Sequence, residues 1–555
     1  MTVVPFFPIF FLLFLPSRRS PPLNETELKM TDKHIEDVSS TLEDGDRPLQ
    51  ASPGADLSLF EAFKLWRKGV LWSVALSLAV TAESYSTILL NSLYAAPSFQ
   101  KAYGVLQPSG KYIIPSAWQS ALGSGTNAAL IIGICFGAPL VDRFGYRKVM
   151  IGGLIWNFAF VFLIFFSTNL TMLLIGNMLC GLPWGLFAIA AVAYSVEVVP
   201  TQLRSYLSSV VNHFPFADVN LNWVMGHIVG AGVLKASLDY NSDWTYKLPF
   251  LLMFVVPIPL AIGLYFAPES PYYLARKGRI DEATAAMDRL HAPHASINSR
   301  ELVEQIAETH RIETEMKTGG TWKDCFTGVN LRRTEIAVIS WTAPGLVGYV
   351  FQFYATFFFT RAGFPTDKAF ALGLANYAIA FVGTVTSWFL QYKFGRRSII
   401  LYGFCSMLPL TTLVGALDFT TSSTGRWAQA AFLMIFFFSY GSSQGPVPYV
   451  IASESSAVKL RAKTLALART TYYCVLISST TLAPYFFQTW DLKGKSAFPA
   501  AGFTLILLVW SYFRLPEMKG RSFEELDILF ALRLPARKFK SYIITEEDKR
   551  SVGHL

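Results

Sequence analysis

Apolar runs of membrane-crossing length alternate with short charged connections along this 555-residue chain, and one long polar stretch, from Pro268 to about Thr334, divides them. A helix needs about 20 apolar residues to cross the hydrocarbon core of a bilayer. Twelve windows approach that length, near 69–91, 117–140, 149–167, 171–195, 206–236, 248–267, 335–360, 369–391, 398–417, 427–450, 463–487 and 497–515, six on each side of the polar stretch. Within the stretch, which opens PESPYYLARKGRIDEA, acidic and basic residues interleave at helical spacing. The pattern predicts an all-α polytopic membrane protein with 12 transmembrane helices in two six-helix bundles. Its expected parts are a disordered tail over 1–65, bundles over 66–267 and 335–515, a linker with short helices over 268–334, and a C-terminal tail over 516–555.

The two apolar territories are copies. Phe144-Gly145-Tyr146-Arg147 falls on Phe394-Gly395-Arg396-Arg397, Glu197…Arg204 on Glu454…Arg461, and Pro268-Glu269 on Pro516-Glu517, displaced by 250, 257 and 248 residues in the same order. Parallel repeats about an axis along the membrane normal are a transporter architecture. With an even number of spans, both tails and the polar middle share one side. Arg143–Lys148, Arg276–Arg279, Arg332-Arg333, Arg396-Arg397 and Arg533–Lys540 fall on that side, which the positive-inside rule makes cytosolic.

Two segments stand apart. Val3–Leu15 is apolar but short, interrupted by Pro5 and Pro8 and followed by Arg18-Arg19, so it reads as a signal anchor or as an unstructured extension upstream of a start at Met30. The fifth window is too long and carries His213-Phe-Pro-Phe-Ala-Asp218-Val-Asn220. Residues 213–220 read either as a helix broken at a binding site, since Pro215 removes a hydrogen bond and Asp218 needs a partner, or as an insertion at a splice boundary.

Composition agrees with the membrane reading: 52% of residues are hydrophobic and 15% charged, against about 25% charged in soluble domains. The net charge of +9 lies between the spans, so no nucleic-acid partner is expected. The cysteines and histidines show no metal-ligand or redox spacing, so neither metal nor cofactor is expected, and no nucleophile-base pair points to an enzyme.

DRFGYRK at 142–148, EVVPTQLRS at 197–205, PESPYYL at 268–274, FGRRS at 394–398, ESSAVKLRAKTLALAR at 454–469 and LPEMKGRSFEELDILF at 515–530 together resemble the sugar porter family of the major facilitator superfamily. Tyr85 and Thr87, GLPWG at 181–185 and Pro535-Ala536-Arg537-Lys538-Phe539 are similar to the fungal α-glucoside permeases. The resemblance implies the major facilitator fold, a plasma-membrane location, likeness to proton-coupled maltose carriers and a monomeric protein in the lipid bilayer.

In the sequence itself, Glu197 and Arg204, like Glu454 and Arg461, stand about two helical turns apart. With Asp142, Arg147 and Arg397 they are expected to form a cytosolic gate between the bundles, the alternative being solvated loop charges. By the family pattern Asn212, His227, Tyr354, Asn376, Tyr449 and Tyr472, with Trp118 and Gln119 as weaker candidates, would line a sugar cavity, because a sugar offers hydroxyls and an apolar ring face. The family's acids are replaced by Ser86 and Leu130, its seventh-span glutamine by Pro344 and its eleventh-span asparagine by Tyr473. Glu83 is then the proton-coupling candidate, assisted by His227. The expected function is import of a neutral sugar such as maltose, with or without protons. An uncoupled facilitator, a carrier of another glycoside or metabolite, and a non-transporting sugar sensor stay open.

Overall fold

The computed structural model describes residues 64–548 except 109, 199–218, 241, 256, 293–297, 316–320, 421, 458–459, 522 and 546. Most of the N-terminal tail, Arg204, Asn212 and residues 213–218 therefore lie outside the described residues. Twelve membrane-crossing segments follow one another: α1 (Arg67–Leu93), then, after the short α2 (Pro97–Tyr103) and a two-stranded hairpin, α3 (Ser116–Phe144), α4 (Tyr146–Phe165), α5 (Leu170–Glu197), α6 (Val219–Ser237), the pair α7 (Trp244–Leu252) and α8 (Pro257–Phe266), the pair α12 (Gly328–Val347) and α13 (Tyr349–Arg361), α14 (Thr366–Lys393), α15 (Arg396–Leu417), the pair α16 (Ser423–Ser443) and α17 (Val447–Ser455), α18 (Arg461–Pro484) and α19 (Ala497–Arg514). Between the halves lie α9 (Pro271–Arg276), α10 (Ile280–Asp288) and α11 (Ser299–Glu315), and α20 (Phe523–Ala531) follows α19.

Among the described residues, nine of these segments are long and apolar enough to be spans by length and composition alone. The other three carry polar or charged groups that lower their mean hydropathy: Asn222 and His227 on α6, Gln429 on α16, and Arg461, Lys463 and Arg469 on α18. Three predicted spans are each two helices. Pro257 opens α8, Gly348 separates α12 from α13, and Gly445-Pro446 separates α16 from α17; proline removes a donor, and a Cβ on Gly348 would lie 2.6 Å from the Tyr440 ring. The seventh span starts earlier than its hydropathy suggests. Arg333 in its second turn is buried and paired with Asp527 of α20 at 2.6 Å, so its charge does not end the helix.

Small residues let the helices approach to backbone contact, which membrane packing requires because lipid supplies no hydrophobic drive between helices. A Cβ on Gly133 would overlap the Leu182 carbonyl and one on Gly185 the Leu130 carbonyl, locking α3 to α5. In the second half a Cβ on Gly383 would lie 2.6 Å from the Phe438 carbonyl and one on Gly441 2.5 Å from that of Ala380, locking α14 to α16 in the same way.

Gly185→Ala is expected to destabilise the purified protein by about 1–3 kcal/mol, the usual cost of overpacking. Gly152→Ala, where no atom lies within 4 Å of the new Cβ, leaves the melting temperature unchanged or slightly raised. Thermal unfolding in detergent reads both.

Candidate functional site

At the end of the bundle rich in Arg and Lys, the basic end, each half is fastened by one glutamate. α4 starts immediately after Gly145 and α15 immediately after Gly395, and the first amides of each helix have no partner within it. Glu269 accepts from the amides of Tyr146 at 3.0 Å, Arg147 at 3.2 Å and Ser270 at 3.1 Å. Glu517 accepts from those of Arg396 at 2.8 Å and Lys519 at 3.2 Å. Both are anions on the positive end of a helix dipole. Gly145 has φ of 88°, and a side chain on either glycine would run into the carboxylate. Burial holds the Glu269 carboxyl above the usual range, and the amides of Ser270, Arg147 and Tyr146 and the Arg147 charge pull the other way.

The ion pairs at this end differ from the expected gate, because Glu197 pairs with the linker helix that follows the first half and Glu454 pairs within the second half. Glu197 takes Arg276 of α9 at 3.1 Å, the Tyr146 hydroxyl at 3.0 Å and the Ser270 hydroxyl. Glu454 takes Arg396 at 3.1 Å, not Arg397. Adjacent residues on a helix point about 100° apart, so with Arg396 turned to α17, Arg397 faces Tyr512 of α19 instead. Arg147 lies over the Tyr265 ring at 5.4 Å, Asp142 is exposed, and Arg461 sits in the field of Asp527 and Arg333.

At the far end the halves are sewn together. Ser116 bonds Thr489 at 2.9 Å, Ser120 donates to the Thr481 carbonyl at 2.7 Å, and Ser124 meets the Thr481 hydroxyl at 2.6 Å. Lys235 of α6 pairs with Asp367 of α14. Gln119 belongs to this seam: its amide donates to Gln488 at 2.7 Å and to the Ile114 carbonyl at 2.8 Å, which commits the donors expected to serve a ligand. Trp118 beside it is partly buried against the core. Below them Tyr354 stacks on Tyr94 with centroids 6.4 Å apart.

Deeper between the halves lie polar groups of a different kind. Tyr354, at a non-helical bend in α13, is fully buried with its hydroxyl unbonded, and Asn376 of α14 is fully buried with both amide atoms unbonded. His227 of α6 is buried with neither ring nitrogen bonded, enclosed by Trp223 at 4.3 Å, Tyr377 at 5.2 Å and Phe353 at 5.5 Å. Tyr377 and Phe353 are the chain neighbours of Asn376 and Tyr354, so α6, α13 and α14 meet here. Tyr449 stands against Trp341 at 5.0 Å, and Tyr472 against Tyr473 at 5.4 Å.

Glu83, buried on α1, lies in the field of Arg469 on α18, in the opposite half. Arg469 also lies 6.0 Å from the Tyr473 ring centroid. Reading the sequence alone missed Arg469, although an arginine inside the window 463–487 was the signal. It also missed Arg276 and Arg396 as the partners of Glu197 and Glu454.

The sequence profile of the family described as "Sugar (and other) transporter" matches residues 72–530. A general α-glucoside permease of Saccharomyces cerevisiae is 34% identical over 540 residues, covering 96% of this chain and 86% of the permease. A maltose permease of the same yeast is 35% identical over 510 residues, covering 89% and 82%. Among solved structures, the Escherichia coli xylose transporter XylE in a partially occluded inward-open conformation superposes with a TM-score of 0.64 at 17% identity, over 80% of this chain and 99% of that one.

Removing either helix-capping carboxylate, by Glu269→Ala or Glu517→Ala, is expected to cost about 0.5–2 kcal/mol of stability. The two caps share no partner, so in the double variant the losses add within about 0.5 kcal/mol. Thermal unfolding of the three variants checks it.

Proposed function

The chain belongs to the sugar transporter family, and from that premise we propose that it imports an α-glucoside such as maltose across the plasma membrane, with the basic end and both termini cytosolic. The observation that carries the reading is the set of buried, unbonded polar groups on Tyr354, Asn376 and His227, beside an aromatic lining of Trp223, Phe353 and Tyr377. Leaving such a group unsatisfied costs roughly 1–3 kcal/mol, and sugar hydroxyls would recover it while the ring face packs on the aromatics. With the far end sewn shut, the conformation is inward-facing. In the outward-facing state Asp142, Arg147, Glu197, Arg204, Arg397, Glu454 and Arg461 would draw the cytosolic ends together.

Proton coupling follows from Glu83 and Arg469. They sit in opposite halves, at a depth where water screens charge poorly. Ionised Glu83 attracts Arg469 and favours approach of the halves on that side. Protonated Glu83 does not, so the carboxyl's protonation biases which conformation the carrier adopts. With Ser86 and Leu130 in place of the family's acids, Glu83 is the clear acid left in the first two spans to do it, in a monomer with no cofactor.

In cells lacking their own sugar carriers, labelled maltose is expected to accumulate more at acidic than at neutral external pH, and a protonophore to collapse the gradient. Gln keeps the shape of Glu but has no proton to gain or lose. Glu83→Gln therefore abolishes accumulation while maltose still equilibrates. Equal accumulation by Glu83→Gln would refute the coupling. Asn376→Leu is expected to raise the KM for maltose about fivefold or more through its lost hydrogen bonds, without lowering the amount of protein at the membrane.

A further inference from the structure

Two arginines at the basic end are left over from the ion pairs above. Arg397, near the start of α15, donates Nη2 to the Tyr512 carbonyl at 2.9 Å, stands 5.8 Å from the Tyr512 ring centroid and has a buried, unbonded Nε. Arg537, exposed in the turn Ala536–Lys538, lies 4.2 Å from the same ring and 5.1 Å from that of Phe513. Among the described residues neither has a carboxylate partner. The nearby acids are committed: Glu454 to Arg396, Glu517 to the amides of Arg396 and Lys519, and Glu335 to Trp510 and Arg514.

Two like charges sharing one tyrosine ring repel, and an anion bridging them removes that cost. The guanidinium fork suits a phosphate better than any other common anion except a carboxylate. What lies beneath the pair selects the source of the phosphate. Leu505, Ile506, Val509, Tyr512 and Phe513 are each 46–60% exposed and form one stripe along α19 that ends at the two arginines. A spanning helix presents such a stripe to acyl chains. A ligand with an apolar tail and a phosphate head fits both parts at once.

We propose that Arg397, Arg537 and Tyr512 form a headgroup site for an anionic phospholipid of the leaflet at the basic end, with an acyl chain along the Leu505–Phe513 stripe. Arg537 belongs to the tail segment that Arg332 holds through the Leu534 carbonyl at 2.7 Å and Arg521 through the Tyr542 carbonyl at 2.5 Å. The bound lipid therefore also fastens the C-terminal tail to α15 and α19. Arg397 also belongs to the proposed cytosolic gate, but the site lies apart from the sugar-lining residues and its readout is lipid-dependent unfolding rather than uptake, so its failure leaves the transport reading intact.

The test is thermal unfolding of the full-length protein in neutral detergent, titrated with phosphatidylinositol, with phosphatidylcholine or with inorganic phosphate. Phosphatidylinositol is expected to raise the melting temperature and the other two to leave it. Each juxtamembrane guanidinium contributes about fivefold in lipid affinity, so Arg397→Gln with Arg537→Gln shifts the titration midpoint about 25-fold. Arg537→Gln alone, on an exposed turn that does not threaten folding, shifts it about fivefold. The charge-matched control Lys148→Gln with Lys277→Gln leaves the midpoint in place. An equal loss in that control would reduce the effect to diffuse surface charge and overturn the site. Protection by inorganic phosphate at the same concentration would overturn the lipid as its ligand.

Discussion

A carboxylate seated on the free amides at the start of a helix, once in each half, is the interaction on which the basic end depends. Glu269 fixes the chain leaving α8 to the start of α4, and Glu517 fixes the chain leaving α19 to the start of α15. The partners of Glu197 and Glu454 are placed beside these two clamps. Because Glu269 holds Ser270 and the linker in position, Arg276 reaches Glu197. Because Glu517 holds the first turn of α15, Arg396 reaches Glu454 and Arg397 is turned outward. The clamp is rigid because its glycines exclude any side chain that would separate the carboxylate from the amides.

With each half rigid at its basic end, movement is left to the contact between halves. That contact is hydrogen-bonded at the far end by small hydroxyls and the Gln119–Gln488 pair, which are short, weak and replaceable by water. Below it stand aromatic rings and polar groups without partners, and Glu83 of α1 lies in the field of Arg469 on α18. A seam that opens cheaply, above a site that a polyhydroxyl ligand would satisfy, is what alternating access requires of a sugar carrier.

The fold was legible because lipid imposes its pattern on sequence: twelve apolar windows and a displaced repeat of short motifs follow from bilayer thickness and duplication. Pro268-Glu269 and Phe144-Gly145 stood out as repeated words, but they are more than a hundred residues apart, and nothing local says that one caps the other. Arg396 and Arg397 are neighbours of identical chemistry, and only the helix start decides which meets Glu454. Gln119 has the composition of a ligand amide, and its commitment to Gln488 depends on the state of the seam. Arg469 was hidden for a different reason, since one arginine inside an apolar window carries no mark of the distant acid whose field it shares. Asn212 and Arg204 lie outside the described residues, so their places in the cavity and the gate belong to the proposal.

The central claim is that one protein alternately exposes a sugar site to the two sides of a membrane. Entrance counterflow in liposomes tests it with nothing else present. Purified protein in vesicles preloaded with unlabelled maltose should draw labelled maltose inward to a transient overshoot that vesicles preloaded with mannitol do not show. Folded, correctly inserted protein that gives no overshoot with maltose or with any other α-glucoside would contradict the account.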